Sequence, residues 1–188
     1  MRINGEPLFP WFICLFFCQP PPPHEPTRAK KKKCNDLAIS NNYICSAHWD
    51  GTVRMYGFDG KLVADLPNEI SHANTSICVS PRDKSQVLVN SKDNILRTID
   101  LRYLEVLKTY AHEDYRTTLN WNKACYSPDA KYVAAGSGTG VVFIWDSLTQ
   151  HVVAQLKGHK NSISACAWSP DGEYLMSSSF DKHYMVWK

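Results

Sequence analysis

Near its C-terminal end the chain carries the residue types of a nucleophilic catalytic triad, in the order His159, Ser177 and Asp181. In such a triad the serine attacks an acyl group, the histidine takes its proton, and the aspartate orients the histidine. Trp187 follows at a short distance along the chain. These residue types make a hydrolase the first enzymatic hypothesis to consider.

The positions of these residues favour a structural role instead. Gly158-His159 falls in a predicted loop, Ser177 in a strand, Asp181 in a tight turn, and Trp187 on the strand after that turn. A carboxylate in a tight turn accepts hydrogen bonds from its own backbone, and a partly buried histidine needs such a partner. A Gly-x-Ser-x-Gly nucleophile elbow is absent from the sequence. We therefore predict that the chain is not an enzyme.

An internal repeat organises most of the chain. An acidic turn residue, here Asp50, Asp93 or Asp181, stands six residues before the residue that closes a short alternating strand. Ser-Pro-Asp recurs at residues 127–129 and 169–171. A period of about 40 to 45 residues is typical of a β-propeller blade, which contains four antiparallel strands. The sequence thus predicts an all-β fold.

Four units, each with strands a to d, follow from this period. They cover about residues 34–68, 70–112, 115–157 and 158–188. The fourth unit has residues only for strands a to c. We therefore expect a partial propeller of about four blades whose last blade lacks its outer strand. Residues 1–33 are expected to be a separate, disordered or irregular tail, apolar at first, then proline-rich and lysine-rich.

The origin of this tail has two interpretations. Its apolar stretch, residues 11–17, is shorter than the roughly 20 residues that a membrane-spanning helix needs. Arg2 is the only basic residue before it and no small-x-small cleavage site follows, so a signal peptide is weakly supported. Pro20 to Pro23 lack the N–H that a β-ladder requires and are not expected to form a strand. The tail is either a targeting segment or an artefact of the gene start.

Charge and cysteine content argue against several classes of function. The formal net charge is +3, but residues 1–33 contain six of the 21 basic residues and two of the 18 acidic ones, so the repeats have a net charge of −1 and offer no excess positive charge for nucleic acid. No pair among the seven cysteines has zinc-ligand spacing. Cys78 and Cys125 occupy equivalent places in successive repeats and are predicted to be small buried apolar residues. We expect no cofactor, no metal, no small-molecule substrate, and a reducing cytoplasmic environment.

The repeats resemble the WD40 family through Gly158-His159, the acidic turns and Ile144-Trp145-Asp146. More narrowly, residues 34–188 resemble the C-terminal propeller of the autophagy-related protein 16-like family. Four strings carry this closer resemblance: Cys34–Asp36, Ser91–Arg102, Tyr126–Asp129 running into Tyr132–Ser137, and Asn161–Pro170. The chain also departs from the repeat pattern, with Thr139 at a turn aspartate position, Tyr56-Gly57 and Ile99-Asp100 at Trp-Asp positions, and Ala111-His112 at a Gly-His position.

The resemblance implies a structural role for the triad-like residues. In WD repeats, residues at the positions of His159, Ser177, Asp181 and Trp187 form a hydrogen-bonded relay that ties a loop to the next turn. Asp50 and Asp93 are expected to serve the equivalent turns. Seven blades are typical of this repeat, so we expect an open arc of four blades that is a fragment of a larger propeller.

The resemblance also implies protein partners. In that family the propeller follows a segment that binds autophagy-related protein 5 and a coiled coil that dimerises. The complex attaches ubiquitin-like autophagy modifiers to phosphatidylethanolamine. We expect this chain to supply the adaptor part, in the cytoplasm or at autophagosomal precursor membranes, touching membranes only through a complex. A generic WD40 adaptor of an unrelated pathway and a non-functional truncated fragment are the alternatives.

The residue before each turn aspartate is expected to project from the face that carries the loops entering the blades. These residues are Trp49, Lys92 and Phe180. Large exposed rings are typical of interface anchors, whereas the alternative is that each ring packs on a neighbouring loop. We predict that the three residues bind a protein partner.

Overall fold

The computed structural model describes residues 33–66 and 72–188, which form four antiparallel sheets. The first sheet contains β1 (Cys34–Ile39), β2 (Ile44–His48), β3 (Val53–Tyr56) and β4 (Leu62–Leu66). The second contains β5 (Asn74–Val79), β6 (Gln86–Ser91), β7 (Leu96–Asp100) and β8 (Glu105–Tyr110). The third contains β9 (Ala124–Tyr126), β10 (Tyr132–Gly136), β11 (Val141–Asp146) and β12 (Val152–Lys157). The fourth contains β13 (Ile163–Trp168), β14 (Leu175–Ser179) and β15 (Tyr184–Trp187).

Strands that follow each other along the chain are neighbours in every sheet, so each sheet is an up-and-down meander of strands a to d. Irregularities recur at equivalent places. Strand a shifts register early in the first, second and fourth sheets, and strands c and d shift register together in the first three. Such β-bulges increase local twist. The repeat seen in the sequence is therefore also a repeat in backbone geometry.

Apolar side chains fill the spaces between neighbouring sheets. Val87 and Val89 of β6 pack against the first sheet, while Leu88 between them faces the third. In β10, Val133 and Ala135 face the second sheet, and Ala134 faces the fourth. Because successive side chains of a strand point to opposite faces, an inner sheet buries both faces and its strands are apolar without clear alternation.

Buried polar side chains tie the sheets to one another. Asn74 is fully buried and donates from Nδ2 to the carbonyl oxygen of Gly51, 2.8 Å away. Asp36 accepts a hydrogen bond from the backbone N–H of Ile77 in the second sheet and pairs with Lys123, which precedes β9 in the third. Buried polar groups need such partners, so these bonds fix how neighbouring sheets are aligned.

The predicted fold class is confirmed: the described residues form an all-β, four-blade arrangement whose last sheet has three strands. The predictions for the tail, including Pro20 to Pro23, lie outside the described residues except for Lys33. Within the described residues no helix is long and apolar enough to span a bilayer.

Candidate functional site

The strand order places two kinds of connection at opposite edges of the sheets. The turns between strands b and c share one edge with the loops that lead from one sheet into the next, because strands alternate in direction. This edge, called the loop edge below, carries Asp50, Asp93, Thr139 and Asp181. The turns between a and b and between c and d lie at the opposite edge.

The structure brings His159, Ser177, Asp181 and Trp187 together at the fourth sheet. His159 Nδ1 lies 2.9 Å from Asp181 Oδ2, and His159 Nε2 lies 2.9 Å from Ser177 Oγ. The indole N–H of Trp187 donates to the same Ser177 oxygen at 2.9 Å. The four side chains thus form one continuous hydrogen-bonded chain.

Counting donors fixes the direction of this chain. The Asp181 carboxylate can only accept, so the hydrogen lies on His159 Nδ1, and in this neutral tautomer Nε2 accepts from the Ser177 hydroxyl, whose oxygen accepts the Trp187 N–H. His159 Nδ1–H then donates to the Asp181 carboxylate. The arrangement has the connectivity of a catalytic triad. However, Ser177 is 2% exposed and the His159 ring is fully buried, so no substrate reaches the hydroxyl.

Asp181 binds the backbone of the loop at Lys160 as well as the ring of His159. Its carboxylate accepts the backbone N–H of Lys160 at 2.9 Å and that of His183 at 2.9 Å. Desolvation alone would raise the pKa of this carboxyl, but the N–H donors of Lys160, His159 and His183 outweigh it and hold the pKa far below its usual range. Asp181 is therefore a charged anchor for the loop at neutral pH.

Replacing Asp181 with alanine is expected to lower the urea midpoint at neutral pH. The substitution leaves the buried His159 N–H without its acceptor, which costs about 1 to 3 kcal/mol. The folded-state pKa of Asp181 lies below the unfolded one, so its contribution is present above about pH 4 and is lost as the pH falls further. The difference in urea midpoint between wild type and Asp181→Ala should therefore become smaller as the pH falls.

Asp171→Ala is the matched control for this experiment. Asp171 accepts similar local hydrogen bonds in its turn, from Ser169 and Glu173, but serves no buried histidine. A smaller loss of stability is expected for this variant. Equal losses of stability for Asp181→Ala and Asp171→Ala would contradict the role assigned to Asp181. A stability difference between wild type and Asp181→Ala that does not change with pH would contradict it as well.

In the first two acidic turns the aspartate pairs with an arginine. Asp50 pairs with Arg54 at 3.0 Å and Asp93 pairs with Arg97 at 2.5 Å, each across four residues. Both guanidinium groups are largely buried. Burial alone would raise the pKa of Asp93, but hydrogen bonds from Arg97 and Ser91 hold it below its usual range. The Asp-x-x-x-Arg spacing is visible in both repeats, and it is the signal that would have identified these arginines from sequence.

The third turn has no carboxylate, and Ser137 takes over its role. The Ser137 oxygen accepts from the hydroxyl of Thr139 at 2.9 Å and from the backbone N–H of Arg116 at 3.0 Å. Gly140 ends the turn at φ 81°, and a Cβ there would lie 2.5 Å from the carbonyl oxygen of His159. The turn thus packs directly on the loop that the fourth-sheet relay holds, which requires glycine at this point.

The predicted partner-binding residues lie along one path at the loop edge. The Lys92 ammonium sits 5.8 Å from the centre of the Trp49 ring and donates to the carbonyl oxygen of Thr118. The Thr118 hydroxyl lies 3.3 Å from that of Ser162, whose carbonyl oxygen accepts the backbone N–H of Phe180 at 3.0 Å. We call these five residues the aromatic strip. It runs from the b-to-c turn of the first sheet to that of the fourth, through the loops that lead into the third and fourth sheets.

The two rings of the strip are accessible. Trp49 is 45% exposed and Phe180 is 48% exposed. A second ammonium, that of Lys33, lies 5.5 Å from the Trp49 ring. Cation–π contacts of this kind hold an exposed indole in place while leaving much of its surface open.

Cysteines and carboxylates do not form a metal site in the described part of the chain, where no group of three or more candidate ligands comes together. The five described cysteines are free thiols. Cys78 and Cys125 are partly buried, and burial raises the pKa of the Cys78 thiol.

Comparison with known proteins gives two results. The WD domain, G-beta repeat family matches residues 105–146 and 150–188. Each matched stretch contains strand d of one sheet followed by strands a to c of the next. The sequence repeat therefore begins one strand before the sheet begins. Each matched repeat spans parts of two neighbouring sheets and so connects them covalently.

Three curated relatives cover most of the chain. Protein tipD of Dictyostelium discoideum is 35% identical over 82% of this chain and 26% of its own length. Autophagy-related protein 16 of Arabidopsis thaliana is 33% identical over 82% of the chain and 30% of its length. Protein Atg16l2 of Mus musculus is 30% identical over 82% of the chain and 25% of its length.

The chain thus spans between 25 and 30% of the length of these relatives. Each matched repeat contains four consecutive strands, which is the number in a complete sheet. On these grounds the chain is a WD40-repeat protein of the β-propeller type, similar over most of its length to autophagy-related protein 16.

Proposed function

We propose that the chain is a non-enzymatic scaffold that binds proteins of the autophagy conjugation machinery or its cargo receptors through the aromatic strip. The observation that carries this proposal is the continuous path from Trp49 to Phe180 across the loop edge. The autophagy pathway in this proposal is taken from the names of relatives of the chain. In this proposal the chain works in the cytoplasm, and it reaches autophagosomal precursor membranes through its partners.

The chemistry of the strip suits a protein ligand. Exposed aromatic rings bury large apolar areas on binding and lose few rotamers, which is why tryptophan dominates interface hot spots. The Lys33 and Lys92 ammonium groups beside Trp49 add positive charge. A partner segment that combines apolar and acidic side chains would satisfy both features.

The buried relay argues against catalysis at the only triad-like arrangement that the sequence suggested. The Ser177 oxygen accepts the Trp187 N–H and is shielded from solvent. A nucleophile needs an open path to its substrate and a free approach to its oxygen. In the proposed function this arrangement only holds the Lys160 loop in place beside the strip.

The proposal is tested with the double variant Trp49→Ala and Phe180→Ala. Truncating an anchoring aromatic ring typically weakens an interface by 2 kcal/mol or more, so we expect at least a tenfold loss of affinity. The measurement is co-precipitation of the autophagy conjugation machinery by the whole chain, quantified by mass spectrometry. Recovery equal to that of wild type would contradict the assignment.

A matched control removes two exposed rings from the opposite edge. Phe58→Ala and Tyr103→Ala delete side chains that are 62% and 72% exposed. This double variant should recover the machinery as wild type does. Unchanged circular dichroism spectra and melting curves for both double variants would show that any loss reflects binding and not unfolding.

A further inference from the structure

A cleft of about 550 Å³ lies between the second and third sheets, at the edge opposite the aromatic strip. It is bounded by the a-to-b turns of these sheets, at residues 80–86 and 130–131, and by the c-to-d turn at 146–148. The cleft does not touch the relay or the strip. Its lining therefore has no part in the function proposed above.

Three cations line this cleft: Arg82, Lys108 and Lys131. Within the described residues Arg82 makes no ion pair with a carboxylate. Lys108 donates to the carbonyl oxygen of Ser147 at 2.7 Å and keeps two further N–H donors. Lys131 lies 3.3 Å from the exposed carboxylate of Asp129, a contact that solvent screens.

Two carboxylates also line the cleft, and both are already held by other groups. Asp83 accepts from the hydroxyl and N–H of Ser85, and Arg102 lies 3.3 Å away. Asp146 accepts the backbone N–H groups of Leu148 and Thr149 at 2.9 and 2.7 Å. Both carboxylates keep their negative charge, so the three cations and two carboxylates give the lining a formal net charge of +1. An incoming anion would therefore meet cationic donors.

The wall of the cleft is a rigid chain of hydroxyl groups. Tyr110 donates to the carbonyl oxygen of Ser147, and Thr98 Oγ1 lies 3.2 Å from the Tyr110 hydroxyl and 2.8 Å from that of Tyr126. Since Tyr110 uses its hydrogen on Ser147, Thr98 must donate to Tyr110 and accept from Tyr126. All three side chains are buried, so the cleft is preformed.

We propose that this cleft binds a compact phosphate-bearing group. Guanidinium groups match phosphate oxygens in a fork geometry, and two ammonium groups can engage the remaining oxygens. A carboxylate has only two oxygens to offer to three cations. The phosphate can belong to a soluble molecule or to a lipid headgroup, and the experiment distinguishes these sources.

The experiment measures binding of inorganic pyrophosphate to the whole chain by calorimetry, and flotation with phosphatidylcholine vesicles with or without phosphatidic acid. Arg82→Gln with Lys131→Gln is expected to weaken pyrophosphate binding about tenfold or more, since a hydrogen bond to a charged group contributes roughly 1.5 kcal/mol or more. If the natural source is lipid, the same variant also loses flotation with phosphatidic acid. If the source is soluble, neither protein floats.

Lys61→Gln with Lys160→Gln is the control of equal charge change away from the cleft. This control, and Trp49→Ala at the strip, should bind pyrophosphate as wild type does. Equal weakening by the two charge variants would show non-specific attraction and overturn the proposal. Equal affinity of wild type and the Arg82 and Lys131 variant would overturn it as well, and neither result affects the assignment of the strip.

Discussion

Replacing Trp145 with alanine is expected to lower the free energy of unfolding by about 3 to 5 kcal/mol, the range typical of a buried large aromatic residue. Trp145 is fully buried at the centre of the core between the second and third sheets. Its ring lies 5.3 Å from that of Tyr115, 5.7 Å from that of Phe143 and 6.5 Å from that of Tyr110. Alanine would lose all three ring contacts and leave a cavity in place of the indole ring.

Urea denaturation followed by circular dichroism measures this effect. Trp121→Ala is the matched control, since its ring is 51% exposed and its loss should change stability by about 0.5 kcal/mol or less. Trp145→Phe keeps an apolar ring and should retain part of the lost stability. Similar midpoints for Trp145→Ala and Trp121→Ala would show that this core does not hold the second and third sheets together.

Replacing Asn122 with alanine is expected to cost about 2 to 4 kcal/mol, although only one small side chain is removed. Asn122 is 1% exposed and its Nδ2 donates to the carbonyl oxygens of Gly136 and Ile163, at 3.0 and 3.1 Å. Its Oδ1 accepts the backbone N–H of Leu119 at 2.9 Å. One amide therefore satisfies buried carbonyl groups of the third and fourth sheets and a backbone N–H of the loop that leads into the third sheet.

Hydrogen exchange is the informative measurement for this variant, together with the urea midpoint. Faster exchange should appear first in β13 and β10, because their carbonyl groups lose a shared partner. Asn42→Ala, at an exposed position, is the control and should leave both measurements unchanged. Protection in β13 equal to that of wild type would argue that Asn122 does not connect the third and fourth sheets.

The sequence was sufficient to predict the repeat, the all-β class and the strand order, because these follow from local patterns. Alternation along β7 predicts a strand with two different faces, and the acidic turn before it predicts a reversal of the chain. The three strands that the described residues contribute to the fourth sheet also follow from counting strands along the sequence. Each strand and turn is inferred from neighbours within a few residues, and the repeat is inferred from their recurrence along the chain.

The partners of the turn aspartates show where such reasoning fails. The sequence predicts equivalent roles for Asp50, Asp93 and Asp181, yet the first two pair with Arg54 and Arg97, and the third binds His159. The arginines lie four residues away on the adjoining strand, while His159 approaches from a distant loop. The arginine partners follow from a local spacing, whereas the approach of His159 depends on how loops pack, and a short motif does not contain that information.

The sequence by itself determined where the strands and turns of this WD40-repeat protein lie, and which residues stand before the acidic turns. Only the tertiary structure decided that Trp49, Lys92 and Phe180 share one continuous strip, and that three cations line a cleft between the second and third sheets. The physical reason is the distance over which each interaction acts. Strand and turn preferences are local, whereas surfaces and clefts form from residues of different repeats that meet only when sheets pack.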